Sequence, residues 1–421
     1  MKINHLFLLL ILTFAFSTRI FRLNMPENYY FDEVYHAFTA KAYANNDPRG
    51  YEWWNPSPEK GTAYEWLHPP VSKLLMATGI KLFGPNSFGW RINSAIFGTL
   101  TIYLVYALTK SLFNKTSTAL LAAFLASLDG LLLVQSRIAM NDIFVTTFIL
   151  ASLLFYWRWR IIKTNSRLNL LLSGIFTGLA VSTKWSGIFL LGIIGIMELI
   201  FFIHNKFNIT LKKILLLITC YLLLPSAIYL LSYTQFFLQN HTWTQFKELH
   251  NQIIRYETTL DATHPYQSKA WQWPLLLRPI WYHVEYNPTS ITNIYALSNP
   301  AISWLGLISI AWIIYQLFKN KKRKLAANYW LLTTGYFLVW IAWAFSPRIM
   351  FYYHYTPAIP FLAISLALFY TKLCQYKWGK NIVFILLLLT FFSFIFFFPI
   401  WTGLSIDNSK INRFFWLHTW R

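Results

Sequence analysis

The chain has 421 residues, of which 56% are hydrophobic and 19% aromatic, and its formal net charge is +21. Its basic residues are scattered between apolar runs and do not form one soluble basic domain, which argues against nucleic-acid binding. The apolar runs approach the roughly 20 residues that a membrane-spanning helix needs. The composition therefore predicts a polytopic membrane protein, in which membrane topology accounts for the positive charge.

Eleven apolar segments predict a bundle of membrane-spanning helices and hence an all-α polytopic fold. The segments are residues 3–22, 88–109, 117–135, 138–157, 168–184, 186–203, 213–232, 298–318, 328–346, 352–371 and 381–401. The first follows Lys2 but lacks the small-residue cleavage site of a signal peptide, so we expect a retained helix.

The distribution of charge predicts the orientation of these helices. Lysine and arginine occupy alternate connections, such as those holding Lys110 and Lys115 or Arg158 and Arg160, and these connections contain no acidic residue. The positive-inside rule places them, and the N-terminus, in the cytoplasm. The acidic residues then fall on the outer side except for Glu198, to which no role is assigned.

Two predicted outer loops, residues 23–87 and 233–297, are longer than simple connectors, which is typical of functional loops. In the first, Glu33 to Ala44 and Val71 to Phe83 have helical spacing but are too short to span, which predicts interfacial helices on the outer leaflet. The second is rich in Trp and Tyr, as expected of an aromatic belt or of a surface that stacks against a sugar or peptide. With no repeat or separate soluble domain visible, residues 1–421 are predicted to form one transmembrane domain.

An Asp32-Glu33 pair lies just past the outer end of the first segment. A carboxylate in this place can accept a proton from an incoming hydroxyl group when its pKa and geometry suit the acceptor. Asp32 also precedes a helical pattern, so an N-cap role is equally compatible with the sequence. The two roles do not exclude each other.

A second polar group runs from Glu65 to Lys73 and contains His68 in a His-Pro-Pro sequence. Prolines are ordinary in the first turn of a helix. Lys73, one turn further on, favours a functional interpretation because a cation at the interface can meet a lipid phosphate. A metal ion shared by His68 and His36 with nearby carboxylates is an alternative, but no tight ligand spacing supports it.

Four cations, Arg91, Arg137, Lys184 and Arg348, lie at outer ends of predicted helices. Snorkelling to the interface explains any one of them. Together around an acidic site they indicate a pocket for a phosphate leaving group, since such cations offset charge that develops on departing oxygens. Asp142 lies close to Arg137 in sequence, and an ion pair between them stays open.

These motifs together resemble the protein O-mannosyltransferase family of the GT-C membrane glycosyltransferases, in its shorter bacterial form. The matching segments are Phe31-Asp32-Glu33-Val34, Leu67 to Lys73, Trp90 to Ala95, Ser136 to Asp142, Gly178 to Trp185, His264 to Trp273, Arg278-Pro279 and Pro347 to Tyr352. The chain departs from the eukaryotic members in lacking their luminal β-trefoil domain, which leaves the choice of acceptor open.

The resemblance implies a GT-C fold and transfer of mannose from a polyprenyl-phosphate carrier to Ser or Thr hydroxyls of an exported protein, with inversion at the anomeric carbon. Asp32 is then the first candidate for the general base and Glu33 the second. Lys73, Arg91, Arg137, Lys184 and Arg348 are expected to bind the donor phosphate. The motifs place further side chains in the substrate pocket: His68, Asp142, His264, Tyr266, Lys269 and Arg278.

The implied location is the bacterial plasma membrane, with the site on its outer face. The donor is already activated as a phosphodiester, so the chemistry requires no nucleotide, metal or other cofactor. The implied partners are the lipid-linked sugar, an extended Ser/Thr-containing polypeptide, membrane lipid and the secretion machinery. One alternative is a GT-C enzyme with a glycolipid acceptor; another, of a different class, is a transporter, which would be expected to carry polar residues near the bilayer midplane.

Overall fold

The computed structural model of the chain describes residues 2–162, 165–204, 210–319 and 323–421. The helices in these ranges are α1 (Lys2–Ile20), α2 (Glu33–Ala44), α3 (Val71–Phe83), α4 (Ser87–Phe113), α5 (Thr116–Ser127), α6 (Gly130–Gln135), α7 (Asp142–Trp157), α8 (Ser166–Val181), α9 (Phe189–His204), α10 (Leu211–Ile218), α11 (Leu224–Ser232), α12 (Thr234–Leu238), α13 (Trp243–Thr259), α14 (Pro300–Lys319), α15 (Arg323–Ile341), α16 (Ile359–Leu373) and α17 (Gly379–Thr402). The strands are β1 (Ile280–Tyr286), β2 (Ser290–Ala296) and β3 (Ser405–Asp407).

Eight helical segments of the described ranges are long and apolar enough to cross a membrane. They are Ile3–Ile20, Ser87–Phe113, Asp142–Ile162, Trp185–His204, Leu211–Ser232, Pro300–Lys319, Tyr352–Leu373 and Gly379–Thr402. The other three predicted segments are 117–135, which contains α5 and α6, 168–184, which overlaps α8, and 328–346, which overlaps α15. These helices do not meet both the length and the hydropathy criterion for a membrane span. The predicted polytopic helical class is confirmed, and the number eleven stays a prediction.

The predicted segment 117–135 is not one helix, because the chain breaks at Asp129 between α5 and α6. Asp129 Oδ1 accepts from Leu132 N at 2.9 Å and so caps α6, and its Oδ2 accepts from Asn299 N at 3.1 Å, just before α14. Asn299 Nδ2 in turn donates to Leu128 O at 3.1 Å. The break is therefore fixed by a polar contact with a distant segment, which satisfies the backbone groups that it frees.

The two short helices predicted in the first outer loop are present as α2 and α3, with the predicted bounds. Helix α3 approaches α4 closely, since a Cβ atom on Gly79 would lie 2.3 Å from Gly89 O. Glycine at this crossing lets the two backbones meet. Val71 N at the start of α3 donates to Ser182 O at 3.1 Å, which ties the loop to the end of α8.

The second outer loop contains a small antiparallel sheet that the sequence analysis did not predict. Strands β1 and β2 form a hairpin, and β3, which follows α17, adds to the other edge of β2 through the pair Ser290 and Asp407. Four helices, α14 to α17, separate β2 from β3, so this pairing joins segments that are distant in sequence. Aromatic and β-branched residues favour strands, whereas the sequence pattern was interpreted as an aromatic belt or a surface that stacks against a sugar or peptide.

A second, smaller hydrophobic cluster joins the two outer loops. It packs Tyr43 and Tyr51 of the first loop against Tyr233, Phe236 and Phe246 of the second. The rings of Tyr43 and Tyr51 stack with centroids 4.3 Å apart. The outer loops therefore form one packed layer that covers the helix ends.

Glu198, to which the sequence analysis assigned no role, lies in α9 at the end that is farther from the packed loops. There it forms hydrogen bonds with neighbouring helices. Its Oε1 accepts from Tyr156 Oη and from Arg160 Nε, both at 2.9 Å, and its Oε2 accepts from Lys213 Nζ. Helices α7, α9 and α10 are thus joined by a polar contact that satisfies the one acidic side chain there.

Candidate active site

A cavity of about 900 Å³ opens between the outer loops and the helix ends. Its polar lining includes Asp32, Asp142, Glu65, Glu257, Lys184, Arg348, Asn141, Ser186 and the imidazoles of residues 36, 68, 264 and 354. Its aromatic lining includes Tyr64, Trp66, Trp185, Tyr256, Trp343, Phe351 and Tyr353. Polar groups converging in an aromatic cavity of this size are typical of a ligand site.

Asp32 is the acidic residue that enters this cavity from the start of α2. It occupies the N-cap position, but its side chain makes no capping hydrogen bond, so the carboxylate is left to the cavity. Burial raises the pKa of Asp32 to about 7, against the opposing effect of Lys184 and of a hydrogen bond from Tyr353. A carboxylate with this pKa is well suited to accept a proton near neutral pH.

The backbone just before Asp32 is held in an unusual conformation. Phe31 has φ of 50°, which costs a bulky residue of order 1–3 kcal/mol and persists only where surrounding packing enforces it. Its ring stacks on Tyr282 of β1 with centroids 4.2 Å apart, and Gln135 Nε2 donates to Tyr282 Oη at 2.7 Å. The small sheet thus helps to aim Asp32.

Glu33 points away from the cavity and is fully buried. Arg91 Nε donates to its Oε1 at 2.8 Å and Arg91 Nη2 to its Oε2 at 2.7 Å, a bidentate pair. Ala139 N also donates to Oε1 at 3.0 Å. The carboxylate of Glu33 is therefore already occupied by partners.

Arg91 and Arg137, predicted to bind phosphate, lie outside the cavity lining. Arg91 Nη1 also donates to Pro26 O at 2.7 Å and to Leu23 O at 3.1 Å. Arg137 Nη1 donates to Thr18 O, Arg19 O and Phe21 O at 3.1, 2.9 and 2.6 Å, and so satisfies carbonyls at the C-terminal end of α1. Both guanidinium groups therefore hold the chain between α1 and α2.

Lys184, by contrast, lies in the cavity where a predicted phosphate-binding cation should be. Its Nζ donates to Asp142 Oδ1 at 2.8 Å and lies 5.8 and 5.4 Å from the ring centroids of Trp343 and Tyr353. Asp142 pairs with Lys184, and not with Arg137 as the sequence had left open. Arg348, also in the cavity lining, forms an ion pair with Glu257 of α13.

Glu65 holds the His-Pro-Pro segment together. Its Oε1 lies 2.7 Å from His68 Nδ1, its Oε2 accepts from Lys73, and Lys73 Nζ also donates to His68 O at 2.7 Å. Burial alone would raise the pKa of Glu65, but the charges of Lys73 and His68 beside it hold that pKa well below its usual range. Lys73 is fully buried behind this segment, whereas Glu65 and His68 reach the cavity.

Of the predicted residues in the second outer loop, His264 reaches the cavity and the other three do not. Arg278 lies 5.0 Å from the ring of Tyr266 and donates through Nη1 to Thr419 O at 2.7 Å. Lys269 is exposed and begins a short 3₁₀ turn. Arg278 thus joins this loop to the segment after α17.

The cavity also contains side chains that the sequence analysis did not single out. Tyr353 follows directly on the predicted Pro347 to Tyr352 segment, Trp343 lies before it, and Asn141 lies inside the Ser136 to Asp142 segment. The motifs that contain or adjoin these residues were the signal in the sequence that could have identified them. Whether their side chains point into a shared cavity depends on tertiary packing.

A metal ion shared by His36 and His68 gains no support from these contacts. The two rings are 5.8 Å apart, and in the described ranges no three His, Cys, Asp or Glu residues are grouped closely enough to hold a metal ion. Glu65 is already bonded to His68 and Lys73.

Family models match nearly the whole chain. The model described as dolichyl-phosphate-mannose-protein mannosyltransferase matches residues 9–241, and that of the C-terminal four TMM region of protein-O-mannosyltransferase matches residues 242–420. The polyprenol-phosphate-mannose–protein mannosyltransferase of Corynebacterium glutamicum is 28% identical, covering 84% of this chain and 81% of its own. That of Mycolicibacterium smegmatis is 25% identical, covering 98% and 92%.

Solved structures show the same architecture. The Saccharomyces cerevisiae protein O-mannosyltransferase Pmt1-Pmt2 complex bound to the sugar donor superimposes with a TM-score of 0.84 at 16% identity, covering 100% of this chain and 93% of that one. ArnT from Cupriavidus metallidurans bound to undecaprenyl phosphate gives 0.62 at 16% identity, covering 90% and 62%. At these identities the likeness establishes the fold, and the GT-C fold expected from the sequence is confirmed.

Proposed function

This chain belongs to the dolichyl-phosphate-mannose-protein mannosyltransferase family, and we propose that it transfers mannose from a polyprenyl phosphate to Ser and Thr hydroxyls of exported proteins. The observation that carries the proposal within this chain is the presence of Asp32 and the Lys184 and Asp142 pair in one cavity. A base and a cation facing one space are what a single displacement at a glycosyl phosphate requires.

In this reaction Asp32 accepts the proton of the acceptor hydroxyl as its oxygen bonds to the anomeric carbon. The bond from that carbon to the phosphate oxygen breaks, the electron pair leaves with the polyprenyl phosphate, and the configuration inverts. The transition state has oxocarbenium character, which nearby carboxylates such as Asp142 stabilise. Lys184 and Arg348 offset the negative charge that grows on the leaving phosphate.

The buried members of the predicted set take positioning roles in this proposal. Glu33, Arg91 and Arg137 fix the chain that leads from α1 to Asp32, and Lys73 fixes the segment that carries His68. Since the side chains of these residues lie outside the cavity lining, we assign donor binding to the cations of the cavity, Lys184 and Arg348. His68 and His264, which both line the cavity, are proposed to contact substrate.

We further propose the bacterial plasma membrane as the location, with the cavity on its outer face. The excess of Lys and Arg in the alternate connections supports this orientation by the positive-inside rule. An outer cavity meets polypeptides as they leave the cell, so an extended acceptor delivered by the secretion machinery fits the proposal. The activated phosphodiester of the donor supplies the driving force, and the mechanism calls for no added cofactor.

The test is an in-vitro transfer assay with purified protein, polyprenyl-phosphate mannose and a Ser/Thr-rich peptide, read by the mass of the peptide. The wild type should add a hexose, and Asp32→Asn should add none while still binding donor. Asp261→Asn, an exposed acid outside the cavity, is the matched control and should keep full activity. Transfer to a membrane glycolipid with none to peptide would instead identify a lipid-modifying enzyme, and an active Asp32→Asn variant would remove Asp32 from the role of base.

A further inference from the structure

One buried side chain in the cavity wall has an amide group that is only half satisfied. Asn141 is 1% exposed and lines the cavity. Its Oδ1 accepts a hydrogen bond from Ser72 Oγ, but its Nδ2 has no hydrogen-bond partner. A buried donor that has lost its water and gained no partner destabilises the structure. A group of this kind at a cavity wall indicates a ligand that completes it.

The position of this amide is fixed by two elements. Ser72 is fully buried in the first turn of α3, and the adjacent Val71 N is anchored to Ser182 O at 3.1 Å. Asn141 itself immediately precedes α7, next to the Asp142 that holds Lys184. The hydrogen bond from Ser72 therefore restricts rotation of the Asn141 side chain, which lines the same cavity as the charged pair assigned to the reacting end of the donor.

The chemistry of an amide distinguishes among the parts of the donor. The cavity already supplies Lys184 and Arg348 for a phosphate, so a neutral amide adds little there. The free group of Asn141 is the Nδ2 donor, which any acceptor completes, either a sugar hydroxyl or a phosphate oxygen. Because the cations of the cavity already serve the phosphate, the sugar hydroxyl is left as the partner of this donor. The alkyl chain of the donor offers no hydrogen bond at all.

We propose that Asn141 binds one hydroxyl group of the transferred sugar and thereby selects among sugars. This inference rests on the proposed function, because it takes the lipid-linked hexose as the occupant of the cavity. Ser72 acts as the positioning residue, since it holds the amide in place without touching the sugar. A site built to bond a hydroxyl discriminates against a sugar that lacks it, because the amide is then left unsatisfied again.

The experiment measures donor binding, which needs neither an acceptor nor a chemical step. The Asp32→Asn variant is titrated with short-chain polyprenyl-phosphate mannose and with the monodeoxy analogues that each lack one hydroxyl. The same titrations are made after adding Asn141→Leu, which has similar volume and no amide. A further variant combines Asn141→Leu with Ser72→Ala, so that no polar partner is left behind and impaired folding is separated from lost recognition.

We expect Asn141→Leu to weaken binding of the mannose donor about tenfold, as for the loss of a single neutral hydrogen bond. For one deoxy analogue, the one that lacks the bonded hydroxyl, the same substitution should leave the affinity unchanged. The combined variant should give the same pattern. An equal loss for mannose and for every analogue would overturn the inference. So would an equal loss for free polyprenyl phosphate, because the amide would then be bonding the phosphate.

Failure of the proposed function looks different from failure of this inference. If the protein binds the mannosyl donor through Asn141 but never modifies a peptide, the proposed sugar site stands and the proposed protein acceptor is wrong. If the protein modifies peptides and Asn141→Leu leaves its sugar preference unchanged, the proposed function stands and the proposed sugar site is wrong.

Discussion

Asp32 and Glu33 are neighbours in sequence, yet their carboxylates serve separate environments. Asp32 lines the cavity, while Glu33 is fully buried. The Glu33 carboxylate accepts hydrogen bonds from Arg91 Nε and Nη2 at 2.8 and 2.7 Å. At the start of a helix, successive side chains diverge, so one residue can face a ligand while the next anchors the turn. In the proposed mechanism the pair therefore consists of one catalytic and one supporting residue, and each leads to its own prediction.

The first prediction concerns pH. A general base works only when deprotonated, so the pKa of about 7 at Asp32 predicts that kcat/KM rises with pH and levels off above about 7. Below that pH the rate should fall about tenfold per unit. Because Lys184 lowers the pKa of Asp32, Lys184→Met should move the midpoint to higher pH. A profile that stays flat between about pH 5 and 8 would contradict the assignment.

The second prediction concerns stability. Glu33→Gln leaves the guanidinium of Arg91 buried without its counter-charge, and breaking a buried ion pair from one side costs about 3–5 kcal/mol. We expect a clear fall in the thermal midpoint in detergent, with donor affinity of the folded fraction unchanged. Glu27→Gln, at an exposed acid of the same loop, should have no effect on either quantity. A stable Glu33→Gln protein that fails to bind donor would place Glu33 in the substrate site instead.

The third prediction concerns the cation of the cavity. Lys184→Met removes a charge-assisted hydrogen bond to phosphate, so donor affinity should fall about 10- to 100-fold. The control is Lys81→Met, because Lys81 is an exposed lysine outside the cavity lining and its loss should leave affinity as it was. Isothermal titration with polyprenyl-phosphate mannose measures both. Equal affinity of the two variants would remove Lys184 from phosphate binding.

The fourth prediction concerns the segment after α17. Arg278 donates to Thr419 O at 2.7 Å and to Arg421 O at 2.8 Å, so Arg278→Ala should loosen this segment. Trypsin should then cut faster at the exposed Lys410 and Arg413, as followed by the masses of the fragments. Lys269→Ala, at an exposed lysine of the same loop, is the matched control. Identical cleavage rates in the two variants would show that Arg278 does not restrain the tail.

Local patterns in the sequence predicted some elements to the residue. Glu33 to Ala44 and Val71 to Phe83 were recognised because apolar spacing and length are properties of the segment itself. The break at Asp129 was not, because its partner Asn299 is distant in sequence. The strands were missed because aromatic residues serve a lipid interface and a sheet equally well.

The candidate site was predicted in the same uneven way. Asp32, Lys184 and Asp142 were recognised from motifs and share the cavity. Arg91 and Arg137 were also recognised, but their partners are Glu33 and backbone carbonyls at the end of α1 and just after it, and no sequence pattern reveals that a carbonyl will point at a guanidinium. A charged residue at a helix end is thus recognisable from the sequence, but the sequence does not show whether it binds a ligand or stabilises the fold.

The edge that β3 adds to β2 closes a long stretch of chain, because β1 and β2 form a local hairpin whereas β3 follows α14 to α17. Tyr282 of that hairpin supports Phe31 beside Asp32. The surroundings of Asp32 are therefore completed by a pairing between segments that are distant in sequence, a kind of contact that forms slowly during folding.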